Sequence, residues 1–370
     1  MRGGWRWRGT VALTAVALAF VIYPIAEAGP NVVNSDWPAF ATGAKLVISD
    51  PGHLYDLGVQ KRAELEVTGG RQLVTLGING ILPFLAPAWV ALVAVPFELL
   101  GTELGGRLWM LFGLACLALA LWLAVKPLPP SALLPAFASV PTAIMMLNAQ
   151  LDGMVALGIG AAAALWCRPY LAGLALGLTL MKPQLVLPLG FALIATQTWR
   201  VLAGWTTAGV ILWASFAVLN PLWVLEWIKP IGGTVAAASR EVDLPHLGTL
   251  LPGQLQTVGV VTLTFVAVVV VILLAVRRRD DLRASGAIVV AGGVLAAPHA
   301  LPSDLVLVAV GLAIWGRAAW HDWLLLSVIG LVAAVTPAPA PAIAGVLLIA
   351  WLLARISSGS PRAPQPASTR

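Results

Sequence analysis

Asp36 is the first residue in the chain that invites a chemical reading. It stands in Asn34-Ser35-Asp36-Trp37, shortly after an apolar run over residues 10–26. A carboxylate placed there can take a proton from a hydroxyl group, the work of a general base. It can equally cap a helix, with Ser35 or Asp36 opening the segment that carries Phe40 and Ala44. Three further places hold polar groups among apolar neighbours. Leu54-Tyr55-Asp56 closes the turn Asp50-Pro51-Gly52-His53, where Tyr55 suits an interfacial anchor and Asp56 a helix cap. Asn148, Gln150 and Asp152 interrupt two apolar stretches, and Lys182-Pro183 follows inside a third. Such groups line cavities or make interhelical hydrogen bonds. An ammonium as deep in an apolar stretch as Lys182 is expensive alone, so an anionic partner or ligand is expected. Finally, Ala297-Pro298-His299-Ala300-Leu301-Pro302-Ser303-Asp304 forms a turn where His299 and Asp304 can meet a phosphate or a sugar. The bland alternative for a lone turn histidine is simple solvation. Arg240, Glu241, Asp243 and His246 make a similar polar group that reads as mostly exposed.

The elements that position these groups must be membrane helices. Of the 370 residues, 59% are hydrophobic and 10% charged, and mean hydropathy is +0.91. A soluble domain carries about 25% charged residues, so too few are present here to cover a water-facing surface. A spanning helix needs about 20 apolar residues, and many such runs follow one another. In lipid every backbone polar group must be satisfied internally, which leaves helices or a closed barrel. Two-residue alternation is absent, so helices are expected. The net charge of +6 does not point to nucleic acid, because the arginines sit mainly at segment ends, where cytoplasmic loops prefer them. The tryptophans often fall near segment ends too, as interfacial anchors do. Cys116 and Cys167 lie within or at the end of apolar segments, with no CxxC and no His/Cys cluster. Neither a disulfide framework nor a zinc site is expected, and no cofactor.

The expected fold is an all-α polytopic membrane protein, a single domain over residues 1–356 with a disordered tail over 357–370. Spans are expected near 10–26, 81–100, 107–125, 131–147, 153–167, 171–197, 200–220, 257–276, 284–297, 303–316, 320–336 and 342–354. If 171–197 is one helix there are twelve spans and both termini are cytoplasmic. If it divides around Met181-Lys182-Pro183 there are thirteen, and another segment must be re-entrant. Arg2, Arg6 and Arg8 hold the N-terminus inside. The alternative is a signal peptide cleaved near Ala26-Glu27-Ala28. The first outer loop, 27–80, should carry two interfacial helices, one with Phe40, Ala44, Val47 and Ile48 on a face and one of mixed charge from 57 to 65. The run Arg277-Arg278-Arg279-Asp280-Asp281-Leu282-Arg283 marks a cytoplasmic loop. It puts the second outer loop, 221–256, and the His299 turn outside, and Arg317 inside.

The order of these features along the chain resembles the polytopic C-type glycosyltransferases that use polyprenyl-phosphate sugars. Within them it is most similar to glycosyltransferase family 87, the bacterial polyprenol-phosphate-mannose-dependent α-mannosyltransferases. The family's Asp-aromatic pair after the first span reads here as Asp36-Trp37, its aromatic and Ala-rich helix as Phe40 to Ala44, and its Gly-x-x-Leu-Tyr-Asp turn as Gly52-His53-Leu54-Tyr55-Asp56. A Gly-Gln-x-Asn-like break reads as Asn148-Ala149-Gln150-Leu151-Asp152, followed by Lys182-Pro183, and a late Pro-His…Asp-Leu turn as Pro298-His299 and Asp304-Leu305. The chain departs from the pattern in three places. Ile81-Leu82-Pro83-Phe84-Leu85-Ala86-Pro87 stands where a Tyr-Pro-Pro-like element belongs, Ala149-Gln150 replaces Gly-Gln, and paired tyrosines after the early Asp are missing.

The resemblance implies a C-type fold and an inverting transfer of a hexose, mannose in most of the family, from a polyprenyl-phosphate donor to a glycolipid or polysaccharide acceptor. It places the site at the outer face of the inner (plasma) membrane. It makes Asp36 the general base and offers Lys182, His299 and Arg240, with Lys45 behind them, as partners of the leaving phosphate. Asp304, Gln150, Asn148 and Tyr55 become substrate-binding candidates. There is no DxD motif and no Gly-rich phosphate loop, so neither a metal nor a nucleotide donor is expected. The main alternative is a multi-pass transporter or flippase of envelope glycan precursors, in which Lys182 and Asp152 would face each other mid-membrane, far from Asp36. No convincing internal repeat supports that alternative. A third reading is a scaffold subunit whose catalytic residues have decayed.

Overall fold

A computed structural model describes residues 32–70, 81–124, 134–137, 139–232, 251–336 and 339–358. The apolar run over 10–26, residues 233–250 with Arg240, and the tail lie outside the described residues. Among the described residues the chain is helical, without a strand. In the first outer loop stand α1 (Trp37–Ser49) and α2 (Leu57–Val67). After them come α3 (Ala88–Glu98), α4 (Thr102–Ala124), a single turn Leu134–Phe137, α5 (Val140–Leu147), α6 (Asp152–Ala164) and α7 (Pro169–Leu176). The chain continues through α8 (Leu187–Ala195), α9 (Trp199–Ala217), α10 (Trp223–Gly232), α11 (Gln254–Arg277) and α12 (Leu282–Ala296). The last elements are α13 (Leu305–Trp315), α14 (Trp320–Val335) and α15 (Ala340–Ser358).

Among the described residues three helices, α4, α11 and α15, are long and apolar enough to cross a membrane. Several shorter apolar helices, among them α3, α6, α12 and α14, pack with them. The chain is thus a membrane protein, helical among its described residues.

The stretch 171–197 is two pieces rather than one helix. Between α7 and α8 the backbone tightens into 3₁₀ turns at Gly177–Met181 and Pro183–Val186. Lys182 between them leaves helical geometry, at φ −132° and ψ 75°. Pro183 explains the break, because its ring disfavours the α conformation in the preceding residue. The interruption puts the Lys182 side chain at a point where the backbone, too, departs from regular helix.

Small residues set the helix spacing around that break. A Cβ added at Gly153 on α6 would stand 2.0 Å from the carbonyl oxygen of Gly113 on α4. One added at Gly160, two turns on, would meet the Ala120 carbonyl oxygen at 2.3 Å. The α4 and α6 backbones are therefore in direct contact along one stripe, the way membrane helices gain packing without a hydrophobic drive between them.

α1 is more enclosed than a helix lying on a membrane surface. Ten of its 13 residues are buried. Phe40, Ala44 and Val47 are buried as expected of one face, whereas Ile48 is 55% exposed. Beside that face Gly43 admits the Phe84 ring. The second outer loop also differs from a plain polar loop, since it opens with α10. Trp223 there is buried between Trp89 and Phe216, and the Trp227 indole donates to the Leu85 carbonyl at 2.8 Å.

Candidate active site

The site begins at the entrance to α1. Asp36 occupies the N-cap position, yet its side chain makes no cap hydrogen bond. Ser35 does that work: its Oγ accepts from the Trp37 amide at 3.2 Å and donates to the Val32 carbonyl at 2.7 Å. The cap reading of Asp36 is thereby transferred to its neighbour, and the carboxylate is turned elsewhere. Trp37 locks the entry angle, its indole donating to the Thr102 carbonyl at 2.8 Å and its ring packing on Trp109.

The Asp36 carboxylate meets the loop between α5 and α6. Gln150 Nε2 donates to Asp36 Oδ2, and the Asp36 amide donates to the Asn148 carbonyl at 3.2 Å. The loop is pinned from the other side by Trp109, whose indole donates to the Ala149 carbonyl at 2.9 Å. Ala149 has φ +54°, a left-handed conformation that costs a residue with a Cβ about 1–2 kcal/mol. The family pattern has glycine at this place, which tolerates that conformation freely. Ala149→Gly is accordingly expected to raise stability by about 1 kcal/mol, read as a higher melting temperature in detergent. An unchanged or lower melting temperature would mean the turn is not strained.

Behind Gln150 lies a buried ionic cluster. Lys182 Nζ donates to both Asp152 oxygens at 3.1 and 3.0 Å and to Asp304 Oδ1 at 2.6 Å. The three residues are 7%, 0% and 1% exposed. Asp152 is the first residue of α6, Lys182 sits at the break after α7, and Asp304 ends the 3₁₀ turn Pro302–Asp304 that leads into α13. Asp304 Oδ2 also accepts from the Leu301 amide at 2.6 Å, which fixes the His299 turn. A buried ion pair needs this degree of hydrogen bonding to offset the loss of hydration. The expected anionic partner of Lys182 is thus supplied twice, and three separate stretches of chain are clamped at one point.

The two clusters feel each other. Burial pushes the Asp36 carboxyl up to about 6, against the pull of Lys182, the Gln150 hydrogen bond and His299, while Asp304 adds to the rise. Asp36 keeps partial exposure and His299 is half-buried. The structure therefore brings Asp36, Gln150, Asn148 (through its backbone), Lys182, Asp304 and His299 into one neighbourhood. Tyr55 is placed differently. It is buried, stacks on Phe84 and donates to the Ala86 carbonyl at 2.9 Å, which makes it a brace inside the first outer loop. Lys45 is engaged by Glu66 at 2.7 Å. Arg240 lies outside the described residues. Among the described residues no three His, Cys, Asp or Glu side chains gather into a metal-ligating group.

Two residues were visible in the sequence without their part in the site. Asp152 stood out as a polar interruption, and its pairing with Lys182, across 30 residues of chain, was expected only of a transporter. Ser35 is adjacent to Asp36, and nothing in the two residue types says which one caps.

The family model of glycosyltransferase family 87 matches residues 84–298. The match takes in Asn148, Gln150, Asp152 and Lys182 and stops one residue short of His299. No curated protein and no solved structure matches the chain. With more than half of its length matched, the chain belongs to glycosyltransferase family 87 and is a membrane glycosyltransferase.

Proposed function

We propose that this enzyme transfers a hexose, mannose in our reading, from a polyprenyl-phosphate sugar to a glycolipid or polysaccharide acceptor. The reaction is a single inverting displacement. Asp36 takes the proton of the acceptor hydroxyl, the oxygen attacks the anomeric carbon, and the bond from that carbon to the phosphate oxygen breaks. Polyprenyl phosphate leaves with the electron pair. The observation that carries this reading is a partly exposed carboxylate that caps nothing, is oriented by Gln150, and lies within electrostatic reach of Lys182 and His299.

The developing phosphate charge needs donors already in place. Lys182 has its three N–H groups directed at Asp152 and Asp304, so its part is to hold the site together and to bias Asp36. His299 is the nearer candidate for the phosphate itself, with Arg240 as a second. The charged turn Arg277-Arg278-Arg279 joins α11 to α12, whereas the far end of α12 leads to His299. We therefore read the arginine turn as cytoplasmic and the site as opening on the outer face of the inner membrane. In this reading the chain is one C-type domain, and the division of 171–197 at Lys182 brings the count to thirteen spans with one re-entrant segment. The transporter alternative called for a Lys182–Asp152 pair remote from Asp36; the pair is present, but within electrostatic reach of Asp36.

The test is transfer from labelled polyprenyl-phosphate-mannose by purified protein in lipid, against a panel of glycolipid and oligosaccharide acceptors, with the anomeric configuration of the product determined. A product of inverted configuration is expected. A product that retains the donor's configuration would sink the single-displacement mechanism.

The pH dependence follows from the sign of the Asp36 shift. Only the carboxylate form accepts a proton, so kcat/KM should fall about tenfold per pH unit below about 6. Gln150 stabilises the ionised form by donating to it, and Gln150→Leu removes that donor while burial remains. The acid limb should then move to higher pH, and a limb that stays in place would remove Gln150 from the base's surroundings.

A further inference from the structure

α9 carries the chain from the arginine turn to the other end of the bundle. Thr198, just before it, lines one cavity with Arg279. Its 19 residues then cover about 28 Å, at about 1.5 Å per residue. α10 follows at the far end, after Asn220-Pro221. Asn220 fixes the corner between the two helices. Its amide nitrogen donates to Glu226 at 2.7 Å and its side-chain oxygen accepts from the Leu222 amide at 3.0 Å. One face of α10 is fastened to neighbouring elements. Trp223 is buried and meets Trp89 edge-on, and the Trp227 indole holds the Leu85 carbonyl at 2.8 Å.

The opposite face is apolar and uncovered. Leu222, Leu225 and Ile228 recur at three-residue spacing and are 59%, 61% and 54% exposed. Lys229, one turn after Leu225, is exposed beside them. This row continues the exposed side of α9, where Val210, Ile211 and Trp213 stand outward. Val218, 85% exposed at the corner, joins the two. In a membrane bundle the exposed apolar side of a helix such as α9 is in lipid. A contiguous apolar patch at the surface marks a membrane or a partner, and here the patch does not stop where α9 stops.

We propose that α10 lies along the membrane interface, with Leu222, Leu225 and Ile228 in the acyl region of the leaflet and Lys229 at its phosphates. The second outer loop then begins inside the leaflet rather than in water. Continuity with the lipid side of α9 favours this occupant. So does the residue pattern, an aliphatic row with a lysine whose stem can lie among the leucines while its ammonium reaches the headgroups. A second copy fits less well, because a two-fold contact through the same patch would bring Lys229 toward its own copy. The placement bears on the candidate active site. Trp89, which Trp223 packs against, donates to the Leu180 carbonyl at 3.2 Å, two residues before Lys182. Lipid against α10 thus backs the aromatic layer that supports the break. The inference needs only that the chain is a membrane protein, and it stands whether or not the proposed transfer reaction holds.

The experiment is nitroxide scanning of the full chain in liposomes of phosphatidylethanolamine and phosphatidylglycerol. Cys167, the exposed cysteine, is replaced by serine, and Cys116 stays buried in α4. Single labels are then attached to Leu222→Cys, Leu225→Cys and Ile228→Cys, with Phe265→Cys at the middle of α11 as the lipid reference. All four side chains are exposed, so the label displaces no packed neighbour. Dissolved oxygen concentrates in hydrocarbon and a neutral nickel chelate in water. The three α10 labels should collide severalfold more often with oxygen than with nickel. Their ratio should stay below that at Phe265, since an interfacial helix lies shallower than the middle of a span. A ratio favouring nickel would put this face in water and overturn the proposal. Low collision with both reagents would also overturn it, giving the face to a protein. Spectral broadening that disappears on dilution with unlabelled chain would identify that protein as a second copy.

Discussion

Replacing Asp36 by asparagine should lower sugar transfer by about 10²–10⁴-fold, the usual contribution of a general base, with little change in thermal stability. The two halves of that expectation have separate physical grounds. Asparagine keeps the shape of the side chain, and its carbonyl oxygen can still accept from Gln150, but it cannot take a proton at neutral pH. The start of α1 does not depend on the carboxylate, because Ser35 accepts the Trp37 amide. Ser35→Ala is the complementary control. It removes the cap, at a cost of about 0.5–2 kcal/mol, and leaves Asp36 in place, so it should move the melting temperature more than the chemistry. The measurement is transfer from labelled polyprenyl-phosphate-mannose by each protein in lipid, alongside its melting curve. Equal transfer by wild type and Asp36→Asn would remove Asp36 as the base. A well-folded Ser35→Ala protein that lost transfer as deeply as Asp36→Asn would point to the geometry of the loop rather than to proton transfer.

The class of the molecule was legible because it depends on composition and periodicity, which sum over many residues. The break at Lys182 was half legible: Pro183 marked the place through its effect on its immediate neighbour, but the apolar run over 171–197 was equally compatible with one unbroken helix. Asp56 caps α2 as expected, accepting from the Val59 amide at 2.8 Å, a bond made within three residues. Each of these features is local in the chain.

What was not legible is nonlocal or depends on absence of side chain. That Lys182 would find an anion follows from the cost of an unpaired ammonium in an apolar surrounding. That it would find two, from 30 and 122 residues away, follows only from the packing of α6 and α13. Asn148 reaches Asp36 through its carbonyl oxygen, a group every residue possesses. The enclosure of α1 was missed for a related reason. Around the Phe40, Ala44 and Val47 face, α1 also buries Ala39, Ala41, Thr42 and Gly43, too small to register as an apolar stripe. Yet small residues are what lets neighbours such as the Phe84 ring come close. In a membrane protein, burial is marked as much by what is small as by what is greasy.

Removing the Lys182 ammonium should have the largest effect on the fold. Lys182→Met leaves Asp152 and Asp304 facing each other without a cation, and breaking a buried ion pair from one side costs about 3–5 kcal/mol. Asp152→Asn should cost much less, on the order of 1–3 kcal/mol for weakened charged hydrogen bonds, because the Lys182–Asp304 pair at 2.6 Å survives and Asp304 keeps its Leu301 amide. The double variant Lys182→Met/Asp152→Asn should recover part of the single lysine loss, since only one buried carboxylate then lacks a partner. Melting temperatures of the four proteins in one detergent test this directly, and a Lys182→Met protein as stable as wild type would refute the clamp. The same series separates the clamp from a lysine whose task is to bind the donor phosphate. A phosphate-binding lysine would raise KM for the donor with its stability nearly intact. A clamp would lose stability first, and Asp152→Asn, which touches no donor, would reproduce a smaller version of the same loss.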